Sequence, residues 1–240
     1  ITVVDPHEHH LYQPGLLFLP FGDAAPHDLV RPRETTFASG IEWRASAVTA
    51  VDPSAKTVSL ATGDTLAYDV LAIASGAEIR PEMTPGMLGA GWGTSVSQFY
   101  TLAGAQALRE AIARFEGGRF VVDVVETPIK CPVAPMELLF LADEHFTKRG
   151  IRDKVELVYV TPLDAAFTKP VAAEALGEML AKKGIKLETE MMTSEVDGVA
   201  KVVRSYDDRE VPFDLLVAIP SHAGARFIET SGLGNEQAFV

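Results

Sequence analysis

The sequence of 240 residues predicts an α/β fold, a parallel sheet with an antiparallel β-meander inserted ahead of it. Three observations predict it. Residues 101–190 alternate helix, strand, helix, strand, helix and strand patterns, which implies βαβ units. Residues 41–76 are instead a run of short strands punctuated by turn signals. The chain also opens inside an apolar, β-branched run, Ile1-Thr2-Val3-Val4-Asp5, of the kind that follows an earlier strand and helix in an α/β domain.

Taken in order, residues 1–5 read as a buried strand. Residues 7–22 are rich in Pro, Gly and His and read as a loop. Residues 41–52 and 56–60 read as strands joined by the turn Asp52-Pro53-Ser54, and Thr62-Gly63-Asp64 is a second turn. Residues 66–74 read as a strand ending at Ser75-Gly76. Residues 77–93 carry many Gly and Pro with little periodicity, as a connecting segment does. A helix over 101–115 follows from the spacing of Leu102, Ala105, Leu108, Ile112 and Phe115, and Gly117-Gly118 stops it. Residues 120–125 form a strand, 134–148 a second helix, 155–161 a strand, 171–183 a third helix and 185–188 a short strand. Residues 195–206 and 210–213 pair around Asp207-Asp208, and 215–219 is a last apolar strand.

The composition is that of an ordinary globular protein, with 47% hydrophobic and 22% charged residues. A net charge of −12 argues against nucleic acid as a partner, because one polyanion repels another. The longest apolar run, residues 16–21, is too short to span a bilayer and contains Pro20. No signal peptide is visible. Cys131 is the one cysteine, so no internal disulfide can form.

Three places can carry chemistry. Asp5 ends a strand; a carboxylate there accepts hydrogen bonds from an adenosine ribose, or simply opens a turn before Pro6. Residues 68–76 end in small residues, Ala74-Ser75-Gly76, where a backbone can approach a ligand closely or merely turn. The sharpest feature is Thr127-Pro128-Ile129-Lys130-Cys131-Pro132-Val133-Ala134-Pro135-Met136-Glu137, between a strand and a helix. A phosphate-binding turn at that place needs glycines, and three prolines and a cysteine stand instead, so NAD binding is disfavoured. Cys131 just ahead of a helix, beside the cation of Lys130, is placed to carry negative charge; the other reading is an inert buried cysteine. His7-Glu8-His9-His10 has no metal-site spacing, and no metal is expected. His145 and His222 read as structural or surface residues.

Three segments together carry a resemblance. "ITVVD" followed by "YQPGLLFLPFG" looks like the second strand and following loop of sulfide:quinone oxidoreductases. "YDVLAIASG" resembles the Ala-Thr-Gly segment that closes the first flavin-domain section of disulfide-reductase-fold enzymes, with Ser75 where Thr is common. "KCPVAPMELLFLADEHFTKRGIRDKVELVYVTP" resembles the Lys-Cys-Pro-x-Ala-Pro segment of the same family and of the flavocytochrome c sulfide dehydrogenases.

The resemblance implies the FAD-dependent pyridine nucleotide-disulfide oxidoreductase fold: two dinucleotide-binding domains, Rossmann-like, here lacking the N-terminal Gly-rich FAD motif and the C-terminal third. It implies a partial FAD-binding domain with the meander over residues 1–93, a degenerate NAD-type domain over 94–219, and a return segment over 220–240. It implies that Asp5 holds the adenosine ribose, that Ala74, Ser75 and Gly76 border FAD, and that Cys131, with Lys130 beside it, is a redox cysteine facing the flavin. Sulfide and a quinone are then the substrates. Membrane contact would come only through segments outside this sequence, with a location in the cytoplasm or peripheral on the cytoplasmic membrane, and homo-oligomers stay open. The expected activity is FAD-dependent sulfide oxidation. The alternatives are a cofactor-free folded interaction module and an NADH:quinone oxidoreductase-like flavoprotein. Without the phosphate turn, this stretch by itself is expected to hold FAD weakly or not at all.

Overall fold

In the computed structural model, which describes residues 1–240, the chain divides into two units. The first gathers Ile1–Tyr12, His27–Glu78 and His222–Val240; the second gathers Gln13–Pro26 and Ile79–Ser221.

In the first unit, β1 (Thr2–Val4) pairs in parallel with β4 (Glu42–Arg44), and β2 (His9–Leu11) pairs antiparallel with β3 (Val30–Pro32). The meander is β5 (Val48–Asp52), β6 (Thr57–Leu60) and β7 (Thr65–Ala67), antiparallel throughout. Its first turn closes because Asp52 Oδ1 accepts hydrogen bonds from the backbone N–H groups of Ser54 and Ala55, both at 2.9 Å. Its second turn needs Gly63, at φ +90°. Val51, Val58 and Leu60 form a small core, against which Val4, Leu66, Tyr68, Phe227 and Leu233 pack.

The structure departs from three expectations here. The strand at residues 1–5 is not buried: β1 spans three residues, exposed to half-buried, because it pairs with β4 in a two-stranded sheet. Residues 41–52 are two strands, since β4 turns to β1 while β5 enters the meander. The strand expected over 66–74 ends at Ala67. Residues 71–77 lie outside helix, strand and turn, and Val70 is 89% exposed. An apolar run becomes a strand only where a neighbouring strand takes its hydrogen bonds, and none lies beside this one.

The second unit contains the parallel sheet. Its strands are β8 (Val96–Ser97), β9 (Gly118–Val124), β10 (Val155–Val160), β11 (Lys186–Glu188) and β15 (Leu215–Ile219). Their spatial order is β11-β10-β9-β15-β8, every pair parallel. The helices joining them are α1 (Leu102–Arg114), α2 (Ala134–Lys148) and α3 (Pro170–Lys182). Helix α1 starts at Thr101, whose Oγ1 accepts from the Gly104 N–H at 3.1 Å, and it buries Ala105, Leu108, Ala111 and Ile112. Helix α2 starts with Pro135 in its first turn and buries Met136, Leu138, Leu139, Ala142 and Phe146.

The other sheet face is covered by a second antiparallel meander, β12 (Thr193–Asp197), β13 (Val202–Ser205) and β14 (Glu210–Pro212). Val196, Val203, Val211 and Phe213 pack there against Val121, Val158, Val160 and Leu216. The single strand expected over 195–206 is thus two, broken at Asp197-Gly198, where Asp197 Oδ1 accepts from Val199 N and Ala200 N.

Candidate functional site

Residues 125–133 lead from the C-terminal end of β9 to α2, the edge of an open α/β sheet at which ligands bind. No glycine occurs in 125–137. Cys131 lies in this turn with φ +55°, a left-handed conformation rare for a residue with a side chain, and it is exposed. Its carbonyl accepts from Ala134 N at 3.0 Å, and the Val133 carbonyl accepts from Met136 N and Glu137 N, so the turn runs directly into the helix. The thiol is therefore accessible rather than an inert core group.

Lys130 is half-buried, and burial lowers the proton affinity of its ammonium. Its Nζ stands 5.9 Å from the centroid of the Tyr100 ring, the outer range of a cation–π contact. Tyr100 is itself buried. Its phenol is held well above the ordinary tyrosine range, first by burial, then by negative charge on Cys131, with smaller contributions from Tyr159 and Glu137. Tyr100 and Glu137 thus join the two residues the sequence singles out.

Tyr100 is fixed by Gln98, whose Oε1 accepts from Tyr100 N at 2.5 Å and Thr101 N at 3.1 Å. Gln98 Nε2 donates to Thr101 Oγ1 at 2.6 Å. Glu137 sits in the first turn of α2, where the helix dipole favours a carboxylate. The turn signals around Cys131 point to neither: Tyr100 comes from another strand end, and Glu137 reads in sequence only as the end of a motif.

In the first unit, Asp5 follows β1 directly. Its backbone N–H donates to the Arg44 carbonyl at 3.2 Å, and its carbonyl accepts from Trp43 Nε1 at 3.0 Å. Oδ1 accepts from His7 N and Oδ2 pairs with Arg33 Nη2, each at 2.9 Å. A carboxylate has about four lone-pair positions, so acceptor capacity remains for a ribose diol. Ala74, Ser75 and Gly76 are exposed in the irregular stretch, and Gly76, at φ +72°, has nothing within 4 Å of where a Cβ would stand. An acceptor at a strand end and an open small-residue backbone fit the adenosine end of FAD.

The histidine run lies on β2 and its approach, with His10 Nδ1 at 3.4 Å from Arg33 Nη1. No group of three or more His, Cys, Asp or Glu side chains could hold a metal ion. No helix is long and apolar enough to cross a membrane.

One further titratable group is enclosed in the sheet. Asp123 on β9 is fully buried, and its two carboxyl oxygens lie 3.0 and 3.1 Å from Thr193 Oγ1. Burial pushes its carboxyl up to about 7, against the lowering effect of the Thr193 hydrogen bond.

No family model matches the sequence. Curated relatives do. The mitochondrial sulfide:quinone oxidoreductase of Dictyostelium discoideum is 25% identical over 239 residues, covering 98% of this chain and 53% of the relative. That of Mus musculus is 22% identical over 246 residues, covering 100% of this chain and 55% of the relative. Among solved structures, the sulfide:quinone oxidoreductase of Aquifex aeolicus superposes with a TM-score of 0.85 at 19% identity, over 98% of this chain and 56% of that one. The chain spans about half the length of the curated relatives it matches. The fold is that of the FAD-dependent pyridine nucleotide-disulfide oxidoreductases, and the resemblance to the sulfide:quinone oxidoreductases runs over the whole chain.

Proposed function

We propose that this chain carries the sulfur-handling part of an FAD-dependent oxidoreductase that oxidises sulfide and reduces a quinone. The observation that carries the reading is Cys131: an exposed thiol in a glycine-free turn at the C-terminal edge of a parallel sheet. A pyridine nucleotide needs close backbone approach at that turn, and a small sulfur nucleophile needs only an open path.

In this reading Cys131 holds the sulfur taken from sulfide. Forming the S–S bond between that sulfur and Cys131 is a two-electron oxidation; FAD, when bound, would supply the two-electron acceptor, and a quinone reduced to quinol with two protons would be the final oxidant. Lys130, held over Tyr100, supplies positive charge beside the developing sulfur anion. Asp5 receives the adenosine ribose, and Ala74, Ser75 and Gly76 border the cofactor. A cytoplasmic or peripheral membrane location is part of the same proposal.

Anaerobic titration with sulfide tests it in a full-length, flavin-loaded relative that carries the Cys131 motif. Bleaching of the flavin band by sulfide should be abolished by Cys131→Ser, with flavin still bound. A serine variant that bleaches at the normal rate, or a wild-type protein bleached by NADH and not by sulfide, overturns the reading.

A further inference from the structure

Arg33 follows β3 and turns its side chain back across the loop that joins β1 to β2. Its backbone N–H donates to the Glu8 carbonyl at 2.8 Å, which anchors the residue. Nη2 meets Asp5 Oδ2 at 2.9 Å and reaches the His9 carbonyl at 3.5 Å; Nη1 lies 3.4 Å from His10 Nδ1. Nε is buried with no hydrogen-bond partner. The side chain is 17% exposed and that of Asp5 25%, so the ion pair is partly shielded from water.

We propose that Arg33 is a positioning residue for adenine-nucleotide binding: it fixes the Asp5 carboxylate for the ribose and cancels its charge so that the phosphates are not repelled. This rests on the ribose reading of Asp5. Two arguments support it. A carboxylate on the loop after a three-residue strand has freedom to rotate, and a planar guanidinium on one oxygen, with the His7 N–H on the other, removes it. A lone carboxylate beside a nucleotide diphosphate also adds like charge to a chain already at −12, and Arg33 is the cation placed against it.

The experiment compares adenosine and ADP as probes by titration calorimetry at low and moderate salt, with thermal unfolding as a folding control. Wild type should prefer ADP, and salt should erode that preference. Arg33→Met should weaken ADP about tenfold and adenosine much less, as loss of a charged hydrogen-bonding group implies. Arg33→Lys, which keeps the charge without the fork, should recover the preference for ADP but not the full affinity. Asp5→Asn should weaken adenosine more than ADP, because it removes the ribose acceptor from both while leaving the Arg33 cation free for the phosphates. If Asp5→Asn has no effect, or wild type binds neither probe, the ribose reading fails and takes this inference with it. If Asp5→Asn weakens binding while Arg33→Met leaves the ADP-to-adenosine ratio unchanged, the role of Arg33 alone is overturned.

Discussion

Asp123 is a carboxyl group set into an apolar cluster. Strand alternation puts it on the same sheet face as Val121 and Val125, and its cross-strand neighbours are Val160 and Ala218. Thr193 is its one hydrogen-bond partner, and Tyr159, pushed up to about 12 mainly by burial, stays neutral. The neutral acid is therefore the favoured folded form below about pH 7. Its folded value, about 7, lies above the ordinary 3.8, so the folded state binds the extra proton between those values. The stabilisation is fully present below the unfolded value and is lost as pH rises through the folded one. Asp123→Asn should flatten stability between pH ~4 and ~7 and make the protein more stable than wild type above that window. The gain should be a few kcal/mol, at about 1.4 kcal/mol for each pH unit that separates the folded from the unfolded value. Urea unfolding at several pH values checks this, and a wild-type profile that rises over the same window contradicts it. The acid's burial is not legible in sequence, because Asp123 interrupts a valine run and reads as one polar residue in a strand. Cys131 and Lys130 are legible, because prolines in place of glycines mark the turn that holds them. Arg33 is not: what gives it meaning is Asp5, which sequence alone does not bring beside it.

At the scale of elements, the helices of the second unit are legible almost to the residue, since caps and glycines bound them: Thr101 and Gly117 for α1, Gly150 after α2. Strands are less so, because a strand is defined by its neighbour. Residues 66–74 have strand composition and stop at Ala67, whereas β13 exists because β12 and β14 flank it. The turn between β12 and β13 also explains a glycine. A Cβ on Gly198 would lie 1.5 Å from the Ala90 carbonyl oxygen, a backbone atom that cannot swing aside. Gly198→Ala should cost at least the ~1–3 kcal/mol of an overpacked core, and should strip hydrogen-exchange protection from β12 and β13 before the parallel sheet. An alanine variant that melts with wild type would show that the meander shifts freely at this point.

For the whole molecule, chain order and unit membership part company. Residues 13–26 lie in sequence between pieces of the first unit yet belong to the second. Leu19 in that segment is fully buried. Leu19→Ala should therefore cost ~2–5 kcal/mol, as core truncations do, and the loss should appear in residues 79–221 rather than in the meander of 48–67. Hydrogen exchange resolved by segment decides it, and protection lost in the meander first counts against the division. The overall class is legible because alternation over 101–190 dictates a parallel sheet, whereas the interleaving of the two units depends on packing between segments far apart in sequence.

That interleaving has a consequence during synthesis. The meander's core is completed by Phe227 and Leu233, and Val51 N–H finds its acceptor in Ser231 Oγ at 2.8 Å, 180 residues later. At a ribosomal rate of about 5–20 residues per second, roughly 10–40 seconds separate the emergence of the two partners. Through that interval Val51, Val58 and Leu60 have left the ribosome without their cover, a window in which a chaperone that shields nascent apolar surface has something to bind.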